Sequence, residues 1–306
     1  MKHDVYSGEP EVRPVIGLAL ASITDPRDAL VWSGAVHAAR ANNVDLICFP
    51  VGYGGSPNAA IWDLVNAETV TGLVMHVYAL AESFWDLERA LAPLPIVNTL
   101  RLYDGYPGIS ADNYQGMRDL IVHLVDVHGS RRIAFVRGPE GNPSADDRFQ
   151  AYVDVLAERG LELDRRLVYT GPFSEECGSN AVRSFFDDRT LQIDAIVVST
   201  DAIAIGALRE LGHRGIQVPY DVAVTGFDDI LDSEFTDPPL TTVAQPWYEM
   251  GRRAVEHLLA DIDGDGPKEH VLLPCELRLR RSCRCWPAAV VEANVQRANE
   301  HDVGDL

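Results

Sequence analysis

The chain has 306 residues, 46% hydrophobic and 24% charged, with a formal net charge of −20. That length suggests about two domains, each large enough for its own core. The negative charge argues against non-specific nucleic-acid binding, which draws its affinity from Lys and Arg neutralising phosphates. No apolar run approaches the roughly 20 residues a membrane span needs.

The N-terminal stretch MKHDVYSGEPEVRP is polar and lacks the apolar core of a secretory signal, which points to a cytoplasmic chain. PVIGLALAS (14–22) reads as a strand, followed by a helix over about 27–42 with Ala29, Trp32, Val36 and Ala39 at helical spacing. The alternation continues with VDLICFPV (44–51), a helix near 57–68, TGLVMHV (71–77), a helix near 82–91 and PIVNT (95–99). A longer helix is expected near 113–128. The register then restarts near Gly129 with RRIAFVRG (131–138) and a helix near 145–159, where Phe149, Tyr152, Val153 and Leu156 share one face. LVYTG (167–171), a helix near 175–188, DAIVVST (194–200), a helix near 201–213 and DVAVTGF (221–227) complete this series. After LTTV (240–243), Pro246 opens one more helix, as proline at a first helical turn does. DIDGDGPK (261–268) reads as a loop, CELRLRRS (275–282) as a last strand, and the tail beyond Pro287 as polar.

Nearly continuous apolar strands alternating with helices indicate parallel sheets covered on both faces. The expected fold is α/β, with two similar doubly wound lobes. Residues 14–129 plus 243–275 would form the N-terminal lobe, and 130–242 plus 276–286 the C-terminal lobe. Residues 287–306 would form a tail or linker helix.

In open parallel sheets, ligands bind outside the carboxyl ends of the strands. Those ends carry hydrogen-bonding groups and aromatics, among them Asp25, Tyr53, His76, Tyr78, Phe173, Thr200 and Asp228. The combination suits a polar small molecule held by hydrogen bonds and stacking. No phosphate loop, dinucleotide fingerprint, nucleophile elbow or H-E-x-x-H pattern is present, so nothing points to an enzyme or to a cofactor. Asp228 and Asp229 are neighbours at a strand end, so their side chains should diverge and not form an acid/base dyad or share a metal. Asp201 is expected to cap the helix it begins. The five cysteines have no regular spacing, and Cys283-Arg284-Cys285 lacks the C-x₂-C pairs of a structural zinc site, so free thiols are expected and no metal. The cluster Arg278, Arg280, Arg281 and Arg284 reads as basic residues facing solvent or carboxylates.

Four stretches together resemble the effector-binding core of LacI-family transcriptional regulators, which is similar to periplasmic sugar-binding proteins. They are ISADNYQGMRDLIVHLVDVHGSRRIAFVRGP (109–139), DDRFQAYVDVLAERGLELD (146–164), DAIVVSTDAIAIGALRELGHRGIQVPYDVAVTGFDDI (194–230) and LTTVAQPWYEMGRRAVEHLL (240–259). The resemblance implies a periplasmic-binding-protein-like type I fold whose lobes are joined by three crossovers and a ligand cleft between them. It implies ligand contacts from Arg148, as a forked donor, from Asp228, as an acceptor, and from the stacking ring of Phe173. Thr200 stands where the family commonly has asparagine, which puts the identity of any sugar in doubt. Asp25 and His76 match strand ends of the first lobe, and Gln245 and Trp247 follow a crossover.

The family's helix-turn-helix head is not evident, because the sensor pattern begins near Pro14. The chain is therefore expected not to bind an operator itself. An output module is expected either to have been removed or to follow residues 287–302, with Val291, Val295 and Ala298 along one side of a connecting helix. The implied function is a homodimeric small-molecule sensor that signals by lobe closure. A solute-binding protein for uptake is the alternative, and an enzyme on the same scaffold is a weaker one.

Overall fold

The computed structural model describes residues 13–52, 64–77, 91, 93–102, 105–188, 190–264, 266 and 269–286. The helices expected near 57–68 (in its greater part) and 82–91, the strand-end residues Tyr53 and Tyr78, and the tail lie outside them. In chain order the main elements are β1 (Val15–Leu20), α1 (Pro26–Ala41), β2 (Asp45–Pro50), β3 (Gly72–His76), β4 (Ile96–Asn98) and β5 (Gly108–Ala111). Next come α2 (Asn113–Asp126), β6 (Ile133–Arg137), α3 (Pro143–Glu158), β7 (Val168–Thr170), α4 (Glu175–Asp187), β8 (Ala195–Val198), α5 (Asp201–His213) and β9 (Ala223–Thr225). The short α6 (Asp232–Phe235), β10 (Thr242–Ala244), α7 (Trp247–Ile262), β11 (His270–Leu273) and β12 (Glu276–Arg278) complete the series.

The chain divides into two compact units. The first comprises Met1–Ala111 and Pro246–Leu273, the second Asp112–Gln245 and Pro274–Leu306. Within the first, six strands lie parallel in the order β11-β5-β4-β3-β1-β2. β1 lies inside the sheet, between β3 and the edge strand β2, and Ile16, Leu18, Ala19 and Leu20 are almost wholly buried. That explains its unbroken apolar run: a strand covered on both faces has no side for polar residues. Helices α1 and α7 cross at reciprocal glycines. A Cβ on Gly34 would lie 1.9 Å from the Tyr248 carbonyl oxygen, and one on Gly251 would lie 1.9 Å from that of Val31. Only glycine permits backbones to approach so closely.

The second unit repeats the plan with a four-stranded parallel sheet in the order β7-β6-β8-β9. Its helices α4 and α5 cross in the same way. A Cβ on Gly178 would meet Ile203 O at 1.9 Å, and one on Gly206 would meet Glu175 O at 1.8 Å. The antiparallel pair β10-β12 also belongs to this unit. Local chemistry starts the helices. Asp112, Asn142 and Ser174 each accept from a backbone N–H in the first turn of α2, α3 and α4, and Pro143 opens α3.

The structure departs from the sequence reading in three places. The unit boundary falls at Ala111/Asp112, not near Gly129. Met117, Leu120, Ile121 and Leu124 of α2 pack with Tyr152, Val155 and Leu156 of α3, so this helix belongs to the second unit. The stretch 275–282 forms a strand only at Glu276–Arg278 and then turns into a 3-10 helix at Arg281–Cys283. Strands β5 and β11 were not anticipated. GISA and HVLL are too short to stand out from their flanking Gly- and Pro-rich segments.

Candidate ligand-binding site

The carboxyl ends of the second unit's strands converge on Arg148. This residue lies on α3, two turns past its Asn142 cap, and is only 3% exposed. Its Nε and Nη2 donate to Asn113 Oδ1 at 2.9 and 2.6 Å, and its Nη1 donates to the Ser199 carbonyl at 2.5 Å. The guanidinium carbon lies 3.7 Å from the centroid of the Phe227 ring, a cation–π contact that also fixes the plane of the fork. Asp228 Oδ1 lies 4.0 Å from Nη2 and accepts from Gln245 Nε2 at 2.6 Å. A buried charge of this kind survives only where it is paired and hydrogen-bonded, and both conditions are met.

Asp228 itself has φ of 123°, a conformation L-residues rarely adopt. Its N–H donates to Val243 O at 2.8 Å, which holds the residue against the β10 segment. Next along the sheet edge, Ser199 Oγ accepts from the Gly138 N–H at 3.1 Å. The Phe173 ring occupies the space a side chain at position 138 would take, with Cε1 2.1 Å from an ideal Cβ there. Phe173 remains 36% exposed, so this ring is available for stacking. Thr200 precedes α5, is buried, and its Oγ1 has no hydrogen-bond partner. A buried hydroxyl without a partner carries an uncompensated desolvation cost.

Asp201 departs from expectation. Thr200, not Asp201, occupies the cap position of α5. The Asp201 carboxylate accepts instead from the Ile230 N–H at 3.0 Å and from Thr242 Oγ1 at 2.5 Å, and so ties the 228–230 turn to β10. Burial, and next the nearby charge of Asp228, push its pKa up to about 7. Asp229 diverges from Asp228 as expected. It pairs with Arg280 at 2.7 Å and lies 3.7 Å from Arg278, which shows where part of the basic cluster is directed. Asp146 pairs with Arg137.

The first unit has its own cluster at the end of β3. His76 is 1% exposed. Thr99 donates its hydroxyl to Met75 O, so its oxygen, 2.6 Å from His76 Nδ1, accepts the ring proton there. The bare Nε2 then faces Asp28 Oδ1 at 3.6 Å. Burial lowers the His76 pKa to about 3 and raises that of Asp28 to about 6, so the ring is neutral and the contact is no charge pair at neutral pH. Trp247 meets His76 edge to face at 5.9 Å, and its buried Nε1 has no hydrogen-bond partner. Asp25 is the cap of α1. Its oxygens accept from the Arg27 N–H at 2.8 Å and from the Arg27 guanidinium at 3.1 and 2.8 Å.

The structure thus brings Arg148, Asp228 and Gln245 into contact, with Thr200 and Phe173 along the same strand ends. Asp25, His76 and Trp247 lie in the other unit. Asn113, Ser199 and Phe227 fix the guanidinium; Ser199 and Phe227 stand at strand ends legible in the sequence but had no role assigned, and Asn113 was not singled out. The only signal for Asn113 was a polar residue directly after the Asp112 cap.

Residues 122–283 match the model of the periplasmic binding protein-like domain, which defines the class of this chain. The ribose operon repressor of Bacillus subtilis (strain 168) is 31% identical over 250 residues, covering 81% of this chain and 74% of that protein. The HTH-type transcriptional repressor CytR of Escherichia coli (strain K12) is 33% identical over 231 residues, 74% of this chain and 66% of that protein, just under two thirds of its length. Among solved structures, a complex of the transcriptional regulator CelR with cellobiose superposes with a TM-score of 0.78 at 27% identity, covering 88% of this chain and 85% of that one. A LacI-family regulatory protein from Chloroflexus aggregans gives 0.78 at 28% identity, covering 88% and 98%. The chain belongs to the LacI family of regulators and carries that family's periplasmic-binding-protein-like domain.

Proposed function

We propose that the chain is a small-molecule sensor whose effector is a sugar or a similarly polar metabolite. The observation that carries this reading is the fixed guanidinium of Arg148 beside Asp228, with the orphaned Thr200 hydroxyl and the exposed Phe173 ring at the same strand ends. Such a set offers a forked donor, an acceptor, a neutral hydroxyl and an apolar face. Vicinal hydroxyls on a ring demand that combination. Asp25, His76, Gln245 and Trp247 are proposed as further contacts. The orphaned Trp247 indole N–H supports a donor role for that residue. The proposed role is binding: among the described residues the site offers no nucleophile with a base to activate it.

The effector acts by favouring one relative orientation of the two units, in a cytoplasmic homodimer, and an attached or associated output module reads the change. The chain itself is proposed not to contact operator DNA. In support, residues 15–50 form β1, α1 and β2 of the sheet and not a helix-turn-helix, and the net charge is −20. Uptake transport as a solute-binding protein finds no support in the relatives above, whose names are those of repressors and regulators.

A thermal-shift screen against sugars, sugar phosphates and nucleosides tests the reading. A hit should stabilise the wild-type chain. Arg148→Lys and Asp228→Asn should each weaken that hit at least about tenfold, since a hydrogen bond to a charged group is worth roughly 1.5–3 kcal/mol. An undiminished shift in both variants would remove these residues from the site.

A further inference from the structure

Apart from the residues at these strand ends, four side chains of the second unit converge: His123, His128, Cys283 and Cys285. We propose that they form a structural site for a zinc-class divalent cation, with two thiolate and two imidazole ligands. One potential ligand atom from each lies within 4.8 Å of all the others. His123 Nε2 and His128 Nε2 are 3.0 Å apart, and each is 3.3 Å from Cys285 Sγ. Cys283 Sγ is 3.9 Å from His123 Nε2. Around a tetrahedral zinc, with metal–nitrogen bonds of about 2.0–2.1 Å and metal–sulfur bonds of about 2.3 Å, such atoms lie roughly 3.3–3.8 Å apart. These separations straddle that range, so small side-chain rotations close the site.

The backbone prepares this convergence. His123 lies in the last turn of α2 and His128 two residues past its end, so both rings lie at one end of that helix. Arg284, between the cysteines, has φ of 74°, a left-handed conformation that is unfavourable for a non-glycine residue. This turn returns Cys285 toward the point Cys283 faces. The Arg284 Nε is held away by Pro219 O at 2.9 Å. The Thr241 hydroxyl lies 3.0 Å from Cys283 Sγ, within reach to donate to a thiolate there, the kind of outer contact that orients a ligand.

Binding a dication would release the two thiol protons and leave a neutral site: two thiolates, two neutral imidazoles and one M²⁺. Four protein ligands leave no open position, so the role is structural. The cation would staple the segment 283–285 to the end of α2. Cys283 is buried, while His123, His128 and Cys285 are partly exposed and give the ion a way in.

The test uses the full chain, reduced and stripped of metal with a chelator. Titration with Zn²⁺ against a chromophoric competitor should show one equivalent bound, with a raised unfolding temperature. Co²⁺ should give the visible bands of a tetrahedral ion with thiolate-to-metal charge transfer. Cys285→Ser and His128→Asn should each weaken binding by more than about tenfold, while Cys48→Ser and Cys177→Ser should leave it unchanged. The proposal is overturned if the wild-type chain retains no zinc, if its Co²⁺ spectrum is octahedral without thiolate bands, or if Cys285→Ser binds as the wild type does. The cobalt spectrum needs no variant, so a folding defect in the mutants cannot hide the answer.

Discussion

Among single residues, Asp201 makes the sharpest prediction. Its carboxyl holds a proton up to about pH 7 in the folded chain, whereas a free aspartate releases it near pH 4. The folded state therefore binds more protons in between, so this residue makes stability fall as pH rises from about 4 to about 7. Below that window both states are protonated, and above it both are ionised. Asparagine at 201 can still accept from the Ile230 N–H, and its amide can donate to the Thr242 oxygen. Urea unfolding of wild type and Asp201→Asn across the window should show the wild type losing stability relative to the variant. A constant difference would mean that Asp201 is ionised throughout. Asp228, with its φ of 123°, shows the other residue-scale feature: an uncommon backbone held where the ligand anchor is proposed.

The helix pairs make a prediction at the scale of elements. Gly206 and Gly212 lie on the same helix, α5. A methyl group on Gly206 would strike the Glu175 backbone, whereas nothing lies within 4 Å of one on Gly212. Gly206→Ala should cost about 1–3 kcal/mol through overpacking. Gly212→Ala should gain up to about 1 kcal/mol from helix propensity alone. Equilibrium denaturation of the two variants separates packing from propensity; equal effects would show that the crossing is looser than described. The elements themselves were largely legible. Apolar stripes placed α3 and α5, and unbroken apolar runs placed β1, β6 and β8. What stayed hidden was set by partners remote in sequence. Gly129 looked like a lobe boundary because helices stop at glycine, yet α2 belongs with α3 through its buried leucines. Strand ends pointed to Asp228 and the family resemblance to Arg148, but Asn113 meets Arg148 only after folding. The C-x-C read as plain thiols because its two histidine neighbours stand some 160 positions upstream.

For the whole molecule, the proposed reorientation of the units predicts a change in small-angle scattering when effector saturates. At about a hundred times its Kd, the effector should add about 2.7 kcal/mol to stability. Stabilisation without any scattering change would leave a binder that does not switch by moving its units. Connectivity has a separate consequence, concerning synthesis. The chain leaves the first unit at Ala111 and re-enters it only at Pro246, to supply α7 and β11. Until then α1 lacks the helix whose backbone its Gly34 meets, and the sheet lacks an edge strand. The second unit likewise waits for β12. On the ribosome, then, neither unit can be finished before the segments beyond Pro246 have been made, and the first unit cannot fold to completion ahead of the second. Nascent chains stalled after residue 240 should remain protease-sensitive in their first hundred residues, with protection arriving abruptly once α7 has emerged from the exit tunnel.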